Sequence, residues 1–231
     1  MEYQNNSIGF EGAKVRKERF LILLVSFLAF IILDPILSPY PFGGRVLEIA
    51  GVILFFSCIN AISDTKRRFV IAVLLFACSV LAKLAIHVTV EGYFNILSRS
   101  FDFSISSVFY LYSGYLMTIY VLSEGKVTRD KIAAAICVYL ILGVIWGMFY
   151  GLAETLDPGA LGGIVDVGSR GTGSAVYFCY ITLTTLGYGD ITPVSPTTRA
   201  LAIVEAIAGQ IYIAVMIARL VGLHTTYSVR K

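Results

Sequence analysis

Apolar residues in this chain come in long runs separated by short polar punctuation, and those runs set the expected architecture. A helix needs ~20 residues to cross the hydrocarbon core of a bilayer. Six stretches approach or reach that length: 20–33, 46–62, 69–90, 104–123, 132–152 and 197–222. A seventh, 174–185, is apolar but too short to span, as expected of a re-entrant helix that enters and leaves on one side. Between the runs lie Asp34-Pro35, a tight basic turn from Asp64 to Arg68, and a polar and aromatic loop containing Tyr93, Phe94, Arg99 and Phe101. A charged connection over 124–131 and a Gly-rich stretch over 154–173 complete the punctuation. The pattern predicts an all-α membrane protein with six transmembrane helices plus one re-entrant helix. The first run is expected to be a retained helix rather than a cleaved signal peptide, because it lacks a small-residue cleavage site and five more spans follow.

Basic residues orient this frame. Lys14, Arg16, Lys17, Arg19, Lys66, Arg67, Arg68, Lys126, Arg129, Lys131, Arg219, Arg230 and Lys231 fall on one predicted side, leaving Arg45, Arg99, Arg170 and Arg199 on the other. The positive-inside rule makes the first side the cytoplasm, so both termini are expected inside and the Gly-rich connection outside a cell membrane. Composition agrees with membrane burial: of 231 residues, 57% are hydrophobic and 14% charged, with mean hydropathy +0.81. The net charge of +3 and its topological segregation argue against nucleic-acid binding. Cys58, Cys78, Cys137 and Cys179 sit inside apolar runs without metal-ligand spacing, so they are expected to pack or face lipid. With two histidines, His87 and His224, and no carboxylate pair or nucleophile constellation, an enzyme is disfavoured and no cofactor is expected.

The most informative stretch lies between the re-entrant segment and the last span: Thr184-Thr185-Leu186-Gly187-Tyr188-Gly189-Asp190. Glycines at alternate positions permit left-handed backbone, so successive carbonyls that would otherwise alternate can turn to one side. The run resembles the selectivity filter of potassium channels, with Leu186 in place of the usual valine. Around it, the chain resembles the prokaryotic six-span potassium channels, with specific motif evidence confined to about 174–222.

The resemblance implies a homotetramer around a shared pore, with potassium ions in the filter. Thr185, Leu186, Gly187, Tyr188 and Gly189 would form the filter, and potassium would sit at the first four of these. Thr184, Asp190, Tyr177 and Phe178 would support it, with Tyr188 braced against the re-entrant helix beside Tyr177 and Phe178. A Tyr177–Asp190 hydrogen bond is expected where many family members use tryptophan. Ile181 stands where some members carry a buried acid, so such an acid is expected to be missing. Gly209 matches an inner-helix hinge, with close helix packing an equal alternative, and Gln210, Ile213 and Ile217 would line the cavity or gate. The implied domains are an N-terminal segment 1–19, a peripheral four-helix unit 20–123, a linker 124–131, a pore domain 132–223 and a tail 224–231.

Three further expectations concern gating. The fourth span, neutral over 108–117, lacks the spaced arginines of a voltage sensor, so weak or no voltage dependence is expected. The short linker should pack each four-helix unit on its own pore domain, and the short tail leaves no room for a ligand-binding domain. Lys83, an intramembrane charge, should pair with Glu48 or Asp34 or snorkel to the interface. The function expected is passive potassium conduction across a lipid bilayer. The alternatives are a poorly selective cation channel, or a non-conducting membrane sensor or regulatory subunit on the same fold.

Overall fold

The computed structural model describes residues 18–37, 40, 42–88, 93–163 and 171–229. Four helices come first: α1 (Arg19–Leu37), α2 (Gly43–Ile62), α3 (Lys66–Val88) and α4 (Tyr93–Leu122). Then follow α5 (Arg129–Leu156), strand β1 (Leu161–Gly162), α6 (Gly171–Leu183), strand β2 (Thr192–Pro193) and α7 (Pro196–Val229). Among the described residues five helices are long and apolar enough to cross a membrane: α1, α2 from Arg45, α4 from Phe94, α5, and α7 as far as Thr225. The chain is thus a multi-pass membrane protein. Helix α3 is 23 residues long but carries Lys66, Arg67, Arg68 and Lys83, and does not count among the five.

Several boundaries differ from those read off the sequence. Asp34-Pro35 does not end the first helix, because the proline sits in its last turn and α1 runs on to Leu37. The expected loop over 93–101 is instead the opening of α4, where exposed Phe94, Ile96, Leu97 and Phe101 face outward and Arg99 Nε bonds Asn95 Oδ1 one turn back at 2.7 Å. Polar residues marked a break there, yet they satisfy one another within the helix. Helix α5 starts at Arg129, inside the expected linker, because Thr128 is its N-cap: the Thr128 hydroxyl accepts the Lys131 amide at 3.2 Å. Its last turn then consumes the start of the expected Gly-rich connection.

Helices α1 and α4 pack on α5 of their own chain, while α2 packs on α1 and α3 on α4. Phe20, Leu23 and Phe27 of α1 share one buried core with Leu54 and Cys58 of α2, Phe109 and Met117 of α4, and Ala134, Cys137 and Ile141 of α5. Asp130 Oδ1 accepts the Phe20 amide at 3.2 Å, tying the start of α1 to the start of α5. Cys58, Cys137 and Cys179 are buried and Cys78 is exposed. At the same end of the bundle Arg19 pairs with Asp64 in the α2–α3 turn, Lys131 Nζ donates to the Ser123 carbonyl and Arg219 donates to the Leu122 carbonyl at 2.7 Å. The basic residues of four connections therefore gather at one end.

Lys83 is neither paired with Asp34 nor snorkelling unpartnered; the side chain of Glu48 lies outside the described residues. It bonds both oxygens of Asp102 on α4, at 2.8 and 2.7 Å. Asp102 is only 9% exposed, and Ser79 and Ser106 also donate to it. The sequence does not point to this partner, because Asp102 falls between the polar stretch that reads as a loop and the apolar run from 104. Removing the lysine alone would strand a buried carboxylate, at a cost of about 1–3 kcal/mol. Lys83→Met is therefore expected to melt earlier in detergent than wild type, and Lys83→Met with Asp102→Asn to recover most of that loss. A double variant as unstable as the single one would show that the loss does not come from a stranded carboxylate.

Candidate functional site

The candidate site is built on α6, which at 13 residues is ~20 Å long and cannot cross a bilayer. Its position is set by missing side chains on α5. A Cβ on Gly143 would enter the Tyr180 ring, and one on Gly147 would lie 2.6 Å from Val176. One turn further, Gly151 admits Phe103 of α4, where a Cβ would meet its ring at 2.6 Å. Glycines at successive four-residue steps thus let α6 and α4 approach the α5 backbone, the small-residue logic of membrane helix packing. Hydroxyls then lock the approach: Tyr180 donates to the Leu140 carbonyl at 2.7 Å, and Tyr139 to the Leu183 carbonyl at 3.1 Å. At the other end of α6, a Cβ on Gly173 would strike the Asp34 carboxylate of α1. A negative group there suits the positive end of the helix dipole.

The glycine run leaves the C-terminus of α6 with left-handed backbone at every second residue: Thr185 (φ 61°), Gly187 (φ 55°) and Gly189 (φ 79°). For a β-branched threonine this region is sparsely populated, so the surrounding bonds must hold it. They do so from one side. The amides of Leu186 and Gly187 both reach the Ile181 carbonyl, at 2.8 and 3.0 Å, and that of Thr185 reaches the Thr182 carbonyl at 2.9 Å. With these amides turned onto α6, the opposite side of the ribbon is free for carbonyls. Within the single chain 184–190 are all exposed, Leu186 at 55% and Tyr188 at 68%.

The outer end of the run is anchored by a hairpin. Glu154, buried at the end of α5, accepts the Gly159 amide at 2.7 Å on one carboxylate oxygen and the Leu161 amide at 2.8 Å on the other. This fixes β1, whose Leu161 and Gly162 pair antiparallel with Pro193 and Thr192 of β2. The Ala160 carbonyl accepts the Val194 amide at 2.9 Å and the Thr198 hydroxyl at 2.7 Å, joining the hairpin to the start of α7. Gly163 (φ 88°) lies so close to the Asp190 carbonyl that any Cβ would collide with it. On the other side, the Tyr177 hydroxyl donates to Asp190 Oδ2 at 2.8 Å.

Two expected placements change. Phe178 turns into the chain, edge-on to Tyr150 at 5.0 Å. The chain also has a buried acid behind this segment after all. Ile181 is apolar, but Glu205 of α7 is fully buried and accepts the Tyr150 hydroxyl on Oε2 at 3.0 Å, while its Oε1 has no partner among the described residues. The sequence showed Glu205 only as one acid in a long apolar run, a signal that was available and passed over. Glu154 and the Gly143, Gly147, Gly151 series were missed as well. Gly209 is buried against the end of α6, where a Cβ would meet Leu183 Cδ1 at 2.8 Å and its carbonyl at 3.1 Å, which favours the packing role over the hinge. Helix α7 is unbroken through it, and Gln210, Ile213 and Ile217 are exposed on that helix.

Comparison with known proteins falls on this same region. Residues 134–225, which hold most of α5, all of α6 and the glycine run, and nearly all of α7, match the family model described as ion channel. Two pore potassium channel a of Oryza sativa subsp. japonica is 30% identical over 82 residues, covering 36% of this chain and 21% of the relative. Two-pore potassium channels 1 and 2 of Arabidopsis thaliana are 29% and 32% identical over 89 and 87 residues, each covering 38% of this chain and 22% and 17% of the relative. The chain thus matches about a fifth of the length of these curated relatives. No solved structure matches. An ion channel family is not an enzyme family, and these similarities support an ion channel related to potassium channels.

Proposed function

We propose that this protein is a potassium-selective channel that conducts passively, assembled as a homotetramer around the run from Thr184 to Asp190. The observation that carries the reading is the left-handed backbone at 185, 187 and 189, with the Leu186 and Gly187 amides both spent on Ile181. A ribbon so arranged can offer the carbonyls of Thr185, Leu186, Gly187 and Tyr188 in place of an ion's hydration shell. One ribbon cannot enclose an ion, and exposed backbone at membrane depth is tolerated only against protein or water. Fourfold closure meets both demands and covers the exposed Tyr188 ring with a neighbouring copy. Gln210, Ile213 and Ile217 then line the inner cavity.

In this reading α3 is the sixth span, its Lys83 charge matched by Asp102, and the basic end of the bundle faces the cytoplasm of a cell membrane. The charge-free part of α4 leaves the peripheral unit without a voltage sensor. Potassium flux into liposomes holding the purified chain is the direct test. Flux of potassium well above sodium, lost in Gly189→Ala and Tyr188→Ala, is expected. Equal permeation by both ions would instead make it a poorly selective cation channel, and no flux of either would favour a sensor or regulatory subunit.

Two side chains should tune the pore without forming it. Tyr177→Phe deletes the bond to Asp190 at the outer end of the filter, so currents are expected to inactivate faster, with the tetramer intact on size-exclusion chromatography. Unchanged inactivation would remove that bond from the mechanism. At Glu205, glutamine preserves an acceptor for Tyr150, whereas leucine leaves that buried hydroxyl without one, at about 1–3 kcal/mol. Glu205→Gln should melt near wild type and Glu205→Leu clearly below it. The reverse order would show that burying the acid costs more than its bond returns.

A further inference from the structure

A cavity of about 440 Å³ opens between α2 and α3 at the basic end of the bundle, away from the glycine run. Its walls divide by chemistry. Phe56, Ile59 and Phe69 supply the apolar part, and Phe56 and Phe69 are more than half exposed or nearly so, at 59% and 50%, on a face turned away from α5. Asn60, Ser63, Asp64, Thr65 and Lys66 supply the polar rim. Ser63 Oγ is shielded from solvent and bonds nothing among the described residues.

The charge balance at this rim is positive. Asp64, its acid, is already engaged by Arg19 and Arg68. Lys66 and Arg67 are exposed and have no acidic partner among the described residues. Both also stand in the first turn of α3, whose dipole adds positive potential there. A pocket with a cationic, hydroxyl-bearing rim over aromatic walls, placed where a membrane helix meets the interface, matches a ligand with an anionic head and hydrocarbon tails. Basic pockets between membrane helices are recognised settings for anionic lipid headgroups.

We propose that this cavity binds an anionic phospholipid, its phosphate at Lys66 and an acyl chain along Phe56 and Phe69. The site requires only that the chain spans a membrane and is independent of the ion the pore conducts. The lipid would hold α2 and α3 together at their turn, whose Asp64 also receives Arg19 at the start of α1, so occupancy would be felt where the peripheral unit joins α5.

The test uses the full chain in detergent with Phe69→Trp as a reporter, its added fluorescence read against the wild-type background of Trp146. Brominated phosphatidylglycerol should quench the reporter at lower concentration than brominated phosphatidylcholine. Lys66→Gln in the reporter background should weaken the phosphatidylglycerol effect about fivefold, the equivalent of the ~1 kcal/mol that one basic residue contributes near an anionic surface. Lys126→Gln, a charge at the same end but outside the cavity, should leave it unchanged. Equal quenching by the two lipids, or no response to Lys66→Gln, would overturn the proposal. So would displacement of the lipid by inorganic phosphate alone, which would mark a site for a free anion rather than a lipid.

Discussion

The constraint on which the rest depends is that backbone leaving a helix inside a membrane must find its hydrogen bonds within the protein. The run from Thr184 to Asp190 does so by spending consecutive amides on the last carbonyls of α6. That solution holds only if α6 itself cannot move. Its stability in turn comes from α5, which presents glycines at 143 and 147 so that Tyr180 and Val176 sit against bare backbone. The tyrosine hydroxyls that bond Leu140 and Leu183 then satisfy carbonyls at the helix that gives way and at the end of the helix that docks. Aromatic residues with a polar tip are suited to this, since the ring packs while the hydroxyl reaches backbone.

The same closeness limits how α7 can move against α6. Gly209 lets α7 touch Leu183, and Leu183 is the residue whose carbonyl Tyr139 holds. A rotation of α7 about this point would press on the base of the glycine run before it changed anything further out. Helix α7 and the glycine run are therefore mechanically adjacent here, so a stimulus that moved α7 would act on both. The glycine that looks like a hinge in the sequence is at least as much a seat, because without a side chain it brings the two elements together.

Much of this was legible in advance, and the reasons differ by residue. Apolar run lengths gave the helices because membrane spans must be apolar throughout, and the alternating glycines gave the conformation because few other residues adopt it. Where the sequence misled, polar residues were answered locally. Arg99 and Asn95 looked like loop and are one turn of α4; Thr128 looked like linker and caps α5. Glu205, Glu154 and Asp102 were harder to assign because a buried acid is explained only by its partners, and those lie 55 residues away at Tyr150, in the hairpin, and on α3. The glycines of α5 were visible as a four-residue period. What they admit, a tyrosine ring and a valine from another helix, was not.

Carboxylates close the joints of this molecule. Asp64 ties the α2–α3 turn to Arg19 of α1, Asp130 ties α1 to α5, Asp102 ties α4 to Lys83 of α3, and Glu154 ties α5 to the hairpin at the outer end of the glycine run. Asp34 stands against the first turn of α6, and Glu205 links α7 to Tyr150 of α5. An ionised group in lipid is expensive, so it persists only where another element answers it. Apolar packing inside a bilayer gains little from leaving lipid, since both environments are apolar, and it fixes position weakly. A single polar contact at each joint is directional and penalises every register but one. Glu205 differs, with one oxygen unanswered among the described residues in a buried site. It lies between the helix that seats the glycine run and the helix that lines the proposed cavity, so the joint with the least settled bonding is also the one nearest to both.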